Sequence, residues 1–491
     1  MKRLGLAAYG LFLGLGSIFA QNAYDAMNIS RVDPVMGTAR YSAMAGALGA
    51  LGADASTMKD NPAGLGVYRK WDLNITPNIY VTNDNSVGLN VNNFGLVMNF
   101  GRGSSKKGYI TSSLGISYNR LRNFDRYTSV TKRGEEGSMT DFMAAYASDP
   151  VYKEAKRLEL LDGEDNSTYS PDDLISRRVR FDESGSLGEW NFSYGMNVSN
   201  FLYWGVGLGV TSLDYKQTAQ YDEMSPSDGS WYLDNYYEAT GSGFNFKAGV
   251  IIRPTDFFRV GLAFHSPTFY TIDQYSDQHM DFDGVNGSRH ETEISATSLS
   301  YDLQTPLKAQ ASLGFVIGKR AIIGLEYQFE DYSAIRISDC EGVCSYYDAY
   351  REGEKTYWTD HHVDFDKVEE KDRINEVLGV AHTIKLGAEV NVAKGFAVRL
   401  GTAFVTKPLT KEAGLDQNFP TDYPVSFPQN TFYVTGGWGY RGECFFVDMA
   451  AVYKNQGDKL YDFLPIPENE KPMTDESLGN INVMATLGWK F

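Results

Sequence analysis

Three groups of residues carry types that could do chemistry. Asp360, His361, His362, Asp364 and Asp366 crowd one polar stretch and could be offered to a metal. Adjacent histidines point apart in an extended chain, however, and nothing nearby fixes a supporting shell, so the stretch reads as a solvated loop with no metal. Cys340 and Cys344, in Asp-Cys-Glu-Gly-Val-Cys, are close enough in sequence to close a small ring. A candidate disulfide and two free thiols both fit, and Cys444 is left over as a strand residue. Glu326, Glu330, Lys385, Glu389, Arg399, Lys247 and Arg259 could imitate a catalytic cluster, yet mixed charge is also how a water-filled wall is lined. There is no Gly-x-Ser-x-Gly elbow, HExxH or P-loop, so neither an enzyme nor a cofactor is expected.

The elements that hold these residues alternate with period 2. In the last eleven residues Ile481, Val483, Ala485, Leu487, Trp489 and Phe491 share one face, and Asn482, Met484, Thr486, Gly488 and Lys490 the other. A strand with one face in oil and one in water is what a tilted membrane-crossing β-strand needs. Upstream, 443–455, 429–440, 396–406, 381–391 and 321–337 repeat the pattern. So do 257–276, 240–253, 203–220, 187–200, 109–131, 86–100 and 70–82. Glu326, Gln328 and Glu330 share a face of 321–337, which no soluble core would tolerate. Pro306 interrupts 289–317 and predicts one long strand with a kink or bulge, because proline removes a ladder donor. About fourteen strands result. Short turns such as Arg441-Gly442 and Ala393-Lys394-Gly395 fall on one side, and long polar connections fall on the other: 132–186, 221–239, 277–288, 338–378, 407–428 and 456–477. The first connection carries helix caps, Ser138 with Asp141 and Asp149 before Pro150. Its apolar residues, among them Phe142, Met143, Tyr146, Tyr152 and Leu158, either pack the helices on the rim or form an outer apolar landing site.

Residues 1–20 read as an export signal, with Lys2 and Arg3 before the apolar run Leu4–Phe19 and a cut after Ala20, although Ile18 is larger than the position favours. No other apolar run approaches the roughly 18 residues of a helical span. Loss of the two signal charges moves the formal net charge from −17 to −19, which disfavours nucleic acid. The expectation is a single domain, 70–491, preceded by a segment, 21–69, in which the strand rhythm is absent.

That segment is rich in small residues: Gly37-Thr38-Ala39-Arg40, then Gly46, Gly49 and Gly52 among alanines and leucines. Their spacing is not that of a dinucleotide loop. A barrel of about fourteen strands is too wide for wall side chains to fill, so this segment is the candidate plug. The turn Asn61-Pro62-Ala63-Gly64-Leu65 follows.

A signal, a Gly/Ala-rich segment, Asn-Pro-Ala-Gly-Leu and strands ending in an aromatic carboxy-terminus together resemble the FadL family of outer-membrane transporters. The resemblance implies an all-β transmembrane barrel with Asn61, Pro62 and Ala63 in an N-terminal hatch. It also implies an apolar ligand pocket in the lumen and a kinked wall strand that opens a lateral route into the outer leaflet. Gly115, in the third strand, is the candidate for that kink against an ordinary strand glycine. The expected function is passive uptake of a hydrophobic small molecule such as a long-chain fatty acid, by a monomer among outer-membrane lipids. The alternative is a barrel that docks partners in protein secretion or surface assembly.

Overall fold

The computed structural model describes residues 25–101, 107–135, 137–145, 150–162, 167–168, 174–226, 229–284, 289–318, 320–352, 355–365, 378–410, 426–461 and 473–491. The export signal lies outside them. Within the described residues no helix is long and apolar enough to cross a membrane.

The chain closes a single antiparallel sheet. β1 (Asp72–Val81) and β2 (Val87–Gly101) form a hairpin, and β3 (Tyr109–Asn123) runs on into β4 (Arg126–Glu135). Next come β5 (Ile175–Val198), β6 (Leu202–Ser225) and β7 (Gly229–Ile252). β8 (Phe258–His265) continues as β9 (Phe269–Gly284), β10 (Arg289–Gln304) as β11 (Lys308–Ile317), and β12 (Ala321–Asp331) as β13 (Arg336–Glu352). β14 (Lys355–Phe365) precedes β15 (Val380–Ala393), β16 (Phe396–Val405), β17 (Ser426–Arg441), β18 (Phe445–Tyr461) and β19 (Met473–Lys490). β19 pairs with β1, Asp72 opposite Lys490 and Val81 opposite Ile481, which closes the ring. The nineteen segments make fourteen strands, because β3/β4, β8/β9, β10/β11 and β12/β13 are each one strand broken once, and β14 and β15 pair with the two halves of β12/β13. The break at Pro306 is the kink expected there: β10 pairs with β9 and β11 with β8 on either side of it.

The outward face is a band of exposed apolar side chains, including Ile79, Phe192, Val206, Leu262, Leu325, Leu386, Leu400, Val434 and Leu487. Burying such side chains in water-free surroundings is favourable by roughly 25 cal/mol per Å², which sends this face into lipid.

The long connections are shorter than expected. β5, β6 and β7 each span 24 residues, against the roughly 9–11 that a tilted strand needs to cross. Residues 221–239 therefore continue β6 and β7, and 338–365 fall mostly in β13 and β14. Polar residues on both faces hid these strands, because the outer ends of the wall stand clear of lipid and lose the apolar alternation. Cys340, Cys344, His361 and His362 all fall on those extensions, and their side chains lie outside the described residues. Two helices, Met139–Ala145 and Pro150–Arg157, sit in the connection between β4 and β5.

Candidate functional site: the occupied lumen

Residues 25–68 run inside the ring, and most of their side chains are buried. The segment is built on local caps. Thr38 accepts from Tyr41 N at the start of the Ala39–Ala43 helix, Asp54 from Ser56 N before the Ala55–Lys59 turn, and Asn61 from Ala63 N before Pro62–Val67. Pro62 occupies the first helical position, where its missing N–H leaves no donor unpaired. The first two caps are tied together, since the Thr38 hydroxyl donates to the Asp54 carboxylate at 2.9 Å.

The glycines singled out from the sequence divide by role. Gly46 and Gly52 hold positive φ, 78° and 65°, which costs a glycine little. Gly37 leaves room for Ser56 and Tyr41, while Gly64 leaves room for Thr57 and for the crossing backbone at Gly52. Gly49 faces the wall, where its N–H donates to Glu326 Oε2 at 3.0 Å.

Asn61 joins the segment to the wall. Fully buried, its amide donates to Gly49 O at 2.9 Å inside the segment and to Val250 O at 3.4 Å on β7. Pro62 lies on Gly205, Leu65 on Gly195 and Gly115, and Ala63 on Tyr203 and Ile251. The motif therefore docks on β3, β5, β6 and β7. Gly115 keeps regular ladder partners, Val97 and Ser193, so the wall is not kinked there. Its missing side chain admits Met58 and Leu65.

A belt of glycines around the inner wall was not anticipated. Gly195, Gly205 and Gly249 stand opposite one another on successive strands, as do Gly314, Gly324, Gly387 and Gly401. A Cβ at any of them would overlap the N-terminal segment: Asn61 at Gly249, the Ala47 carbonyl at Gly324, the Met44 carbonyl at Gly387 and Ala45 N at Gly401. The available signal was a glycine inside each strand on its polar face, since strand glycines mark close backbone approach.

Of the inward charges named from the sequence, Glu326, Glu389 and Arg259 bond the segment, at Gly49, Arg40 and Leu51, whereas Lys247 pairs with Glu189 and Glu330 with Lys308 on the wall. Lys385 Nζ lies 2.9 Å from Glu326 Oε1, with both side chains fully buried. Arg40 and Arg399 grip Glu389 at 2.9 and 2.6 Å, and Arg399 also holds Asp448 at 2.7 Å. At the centre, Lys59 Nζ lies 3.2 Å from Asp60 and donates to the Tyr41 hydroxyl at 3.0 Å, and Tyr41 in turn donates to Asp60. Burial brings the Lys59 ammonium down to about 8. Against the same burial, Lys59 and Lys385 hold the Asp60 carboxyl well below the usual carboxylate range.

Towards the long-connection end the inner wall turns apolar. Tyr215, Tyr221, Trp231, Leu233, Ile272, Leu299, Tyr301 and Leu303 form one buried cluster with Ala26, Met27 and Ile29 of the segment. Met143 and Leu158 are buried in this cluster and Tyr152 packs against it, while Tyr146 and the side chain of Phe142 lie outside the described residues. The helical insertion thus turns its described apolar residues inward.

Two polar clefts border the cluster. One, about 460 Å³ with its opening, is lined by Asn28, Arg122, Glu183, Lys454 and Gln456. The other, about 520 Å³, is lined by Arg31, Asp33, Arg122, Tyr332, Tyr433 and Lys454. Lys454 and Tyr433 both bond Asp33 at 2.8 Å. Arg122 donates to Asn28 Oδ1 at 2.8 Å, and one Arg31 terminal nitrogen has no hydrogen-bond partner among the described residues.

Among the described residues, the pairing of β2 with β3 is interrupted. The β2–β3 ladder runs from Gly101 opposite Thr111 to Asn93 opposite Asn119 and stops there. Asn92 is a bulge against β1, and Leu121 a bulge against β5. Beyond them, β4 pairs with β5 alone among the described residues. Side chains bridge the interval, Asn93 to Asn119 at 2.7 Å and Tyr80 to Asp125, and leave Asn90 Nδ2 and Asn92 Oδ1 without partners among the described residues.

No protein-family model matches the sequence, and no curated protein sequence does. Solved structures do match. The CymD monoaromatic hydrocarbon channel is 14% identical over 95% of this chain and 99% of its own, at a TM-score of 0.51. A Pseudomonas aeruginosa FadL homologue is 12% identical over 93% and 98%, at 0.51. The Pseudomonas putida toluene transporter TodX is 10% identical over 92% and 97%, at 0.51. This chain has the fold of the FadL-type outer-membrane barrels, fourteen strands closed around their own amino-terminal segment.

Proposed function

We propose that the protein takes up hydrophobic small molecules that carry an acidic head, such as long-chain fatty acids, across the outer membrane. Residues 21–69 act as the hatch, and the interrupted β2–β3 ladder is the lateral exit. The observation that carries this reading is the join between an apolar cluster and a cleft lined by Arg31, Arg122 and Lys454, a pairing that suits an amphiphile better than a plain hydrocarbon. The apolar part is filled by the chain itself. A ligand must displace Ala26, Met27 and Ile29, so binding and hatch movement are one event.

Mass spectrometry of lipids that co-purify with the mature protein tests the reading. Acyl chains with free carboxylates support it, and recovery of none would defeat it. A double variant, Arg31→Met with Arg122→Met, should weaken oleate binding by roughly tenfold to a hundredfold, the worth of charge-assisted hydrogen bonds, and leave the neutral alcohol of equal length unchanged. Equal loss for both compounds would remove the carboxylate from the proposal.

The exit has its own test. Cysteines at Val91 and Leu121, in a chain with Cys340→Ser, Cys344→Ser and Cys444→Ser, can be spanned by a flexible bis-maleimide linker. Fatty-acid uptake should fall several-fold on linking and not on capping with a monofunctional maleimide; full uptake through the linked wall would exclude this route. The alternative, a docking component for secretion, needs an exposed apolar surface, and the inward packing of Met139, Met143, Leu158 and Leu160 argues against one on the helical insertion.

A further inference from the structure

Charge is segregated along the barrel axis. At the short-turn end the described turns present Lys70, Lys107, Arg253, Arg320 and Lys394, against the carboxylates Asp256 and Glu443, while Arg441 at the end of β17 is held by Asp448 at 3.1 Å. Asp256 is taken by Arg253 at 2.5 Å. Lys70, Arg320 and Lys394 are exposed and have no ion-pair partner among the described residues. The opposite end carries more acid than base among the described residues, with Asp214 and Asp273 beside the pairs Asp222–Arg178, Glu238–Lys216 and Asp283–Arg289, in a chain of net charge −17.

The depth of the cations says what they meet. Between them and the apolar band lie the exposed aromatics Trp71, Phe100, Phe257, Phe445, Trp489 and Phe491. The ring of Trp71 stands 6.3 Å from those of Phe100 and Phe491. Such aromatic girdles settle at the headgroup level, and the long stems of lysine and arginine carry their charge into the same layer.

We propose that the short-turn end is a binding ring for anionic phospholipid headgroups, phosphatidylglycerol or cardiolipin, in the leaflet that bathes it. The cations are spread over turns around the circumference rather than gathered on one side. A protein partner would meet a few of them, whereas the lipid annulus meets all. The ring is independent of the transported ligand, so the two proposals stand or fall separately.

The test uses the full mature barrel in nanodiscs of equal phosphatidylglycerol and phosphatidylcholine, read by native mass spectrometry of retained lipids at low and high salt. The wild type should retain phosphatidylglycerol preferentially, and the preference should fade at high salt. The triple variant Lys70→Gln, Arg320→Gln, Lys394→Gln should lose it by roughly tenfold or more, since each cation near a headgroup layer favours anionic lipid separately. A variant with Arg178→Gln and Lys216→Gln at the acidic end should keep it. Heat-modifiable migration on gels confirms that each variant is a folded barrel. No preference in the wild type, or a preference that survives in the triple variant, would overturn the ring; so would equal loss in the acidic-end variant.

Discussion

A Gly249→Leu barrel is expected to conduct ions through a lumen that the wild-type chain keeps shut. Gly249 faces Asn61, and a side chain there enters the space of the Asn61 amide. The ladder prevents the wall from yielding, since Gly249 stands between Gly205 and Ala263 on paired strands. The segment must yield instead. It would lose the two carbonyl bonds of Asn61 and the packing of Pro62 and Ala63 on β6 and β7, a penalty of about 3 kcal/mol by comparison with overpacked cores. Planar-bilayer recordings should show added conductance relative to wild type. In a chain that lacks residues 21–66 the same substitution should change nothing further, because its collision partner is gone. Gly436→Ala meets only ordinary contacts and should leave the wild-type trace. Silent Gly249→Leu channels in a folded barrel would mean that the segment does not seal the lumen.

The second large effect belongs to the buried pair on β12 and β15. Lys385→Met leaves Glu326 as a buried carboxylate held by the Gly49 N–H and by Gln328 at 3.1 Å. Removing one partner of a buried ion pair costs about 3–5 kcal/mol. Adding Glu326→Gln removes the charge and keeps an acceptor for Gly49, so the double variant should recover much of the loss, and the cycle should show a coupling of about 2 kcal/mol or more. Urea unfolding in lipid vesicles, followed by tryptophan fluorescence, measures it. Additive losses would mean that the two side chains stand apart in solution. The Arg40–Glu389–Arg399–Asp448 chain, from the Ala39–Ala43 helix across the wall to β18, sets the scale for comparison, because its members share partners and no single deletion strips a carboxylate of every cation.

The wall was legible in the sequence because lipid imposes a strict period. Ile481–Phe491 and Ile323–Phe329 announce their outward face without help from any other strand. Where that constraint ends the reading failed. Residues 221–239 and 338–365 extend β6, β7, β13 and β14 into water, and polar residues on both faces resemble a loop. The inward polarity of Glu326, Lys385 and Arg399 was read correctly, but water was taken as its counterpart. Part of the answer is a segment laid against that wall, the Gly49 N–H on Glu326 and Arg40 on Glu389, which is invisible to a pattern that looks at one strand at a time. Gly195, Gly205 and Gly249 become meaningful only once ladders align them, since each alone is an unremarkable strand glycine. Asn61 needed the same context: its turn was evident from Asn-Pro-Ala-Gly, whereas its bonds to Gly49 and Val250 join residues 12 and 189 positions away.

The pairing of β1 with β19 constrains the order of biogenesis. The amino-terminal segment is covalently continuous with the first strand to emerge, yet its Ala39–Ala43 helix is held by Thr435 on β17 and Thr486 on β19. The amino-terminal helix therefore gains these contacts only once strands some four hundred residues away are in place, and pairings across such separations are slow to form.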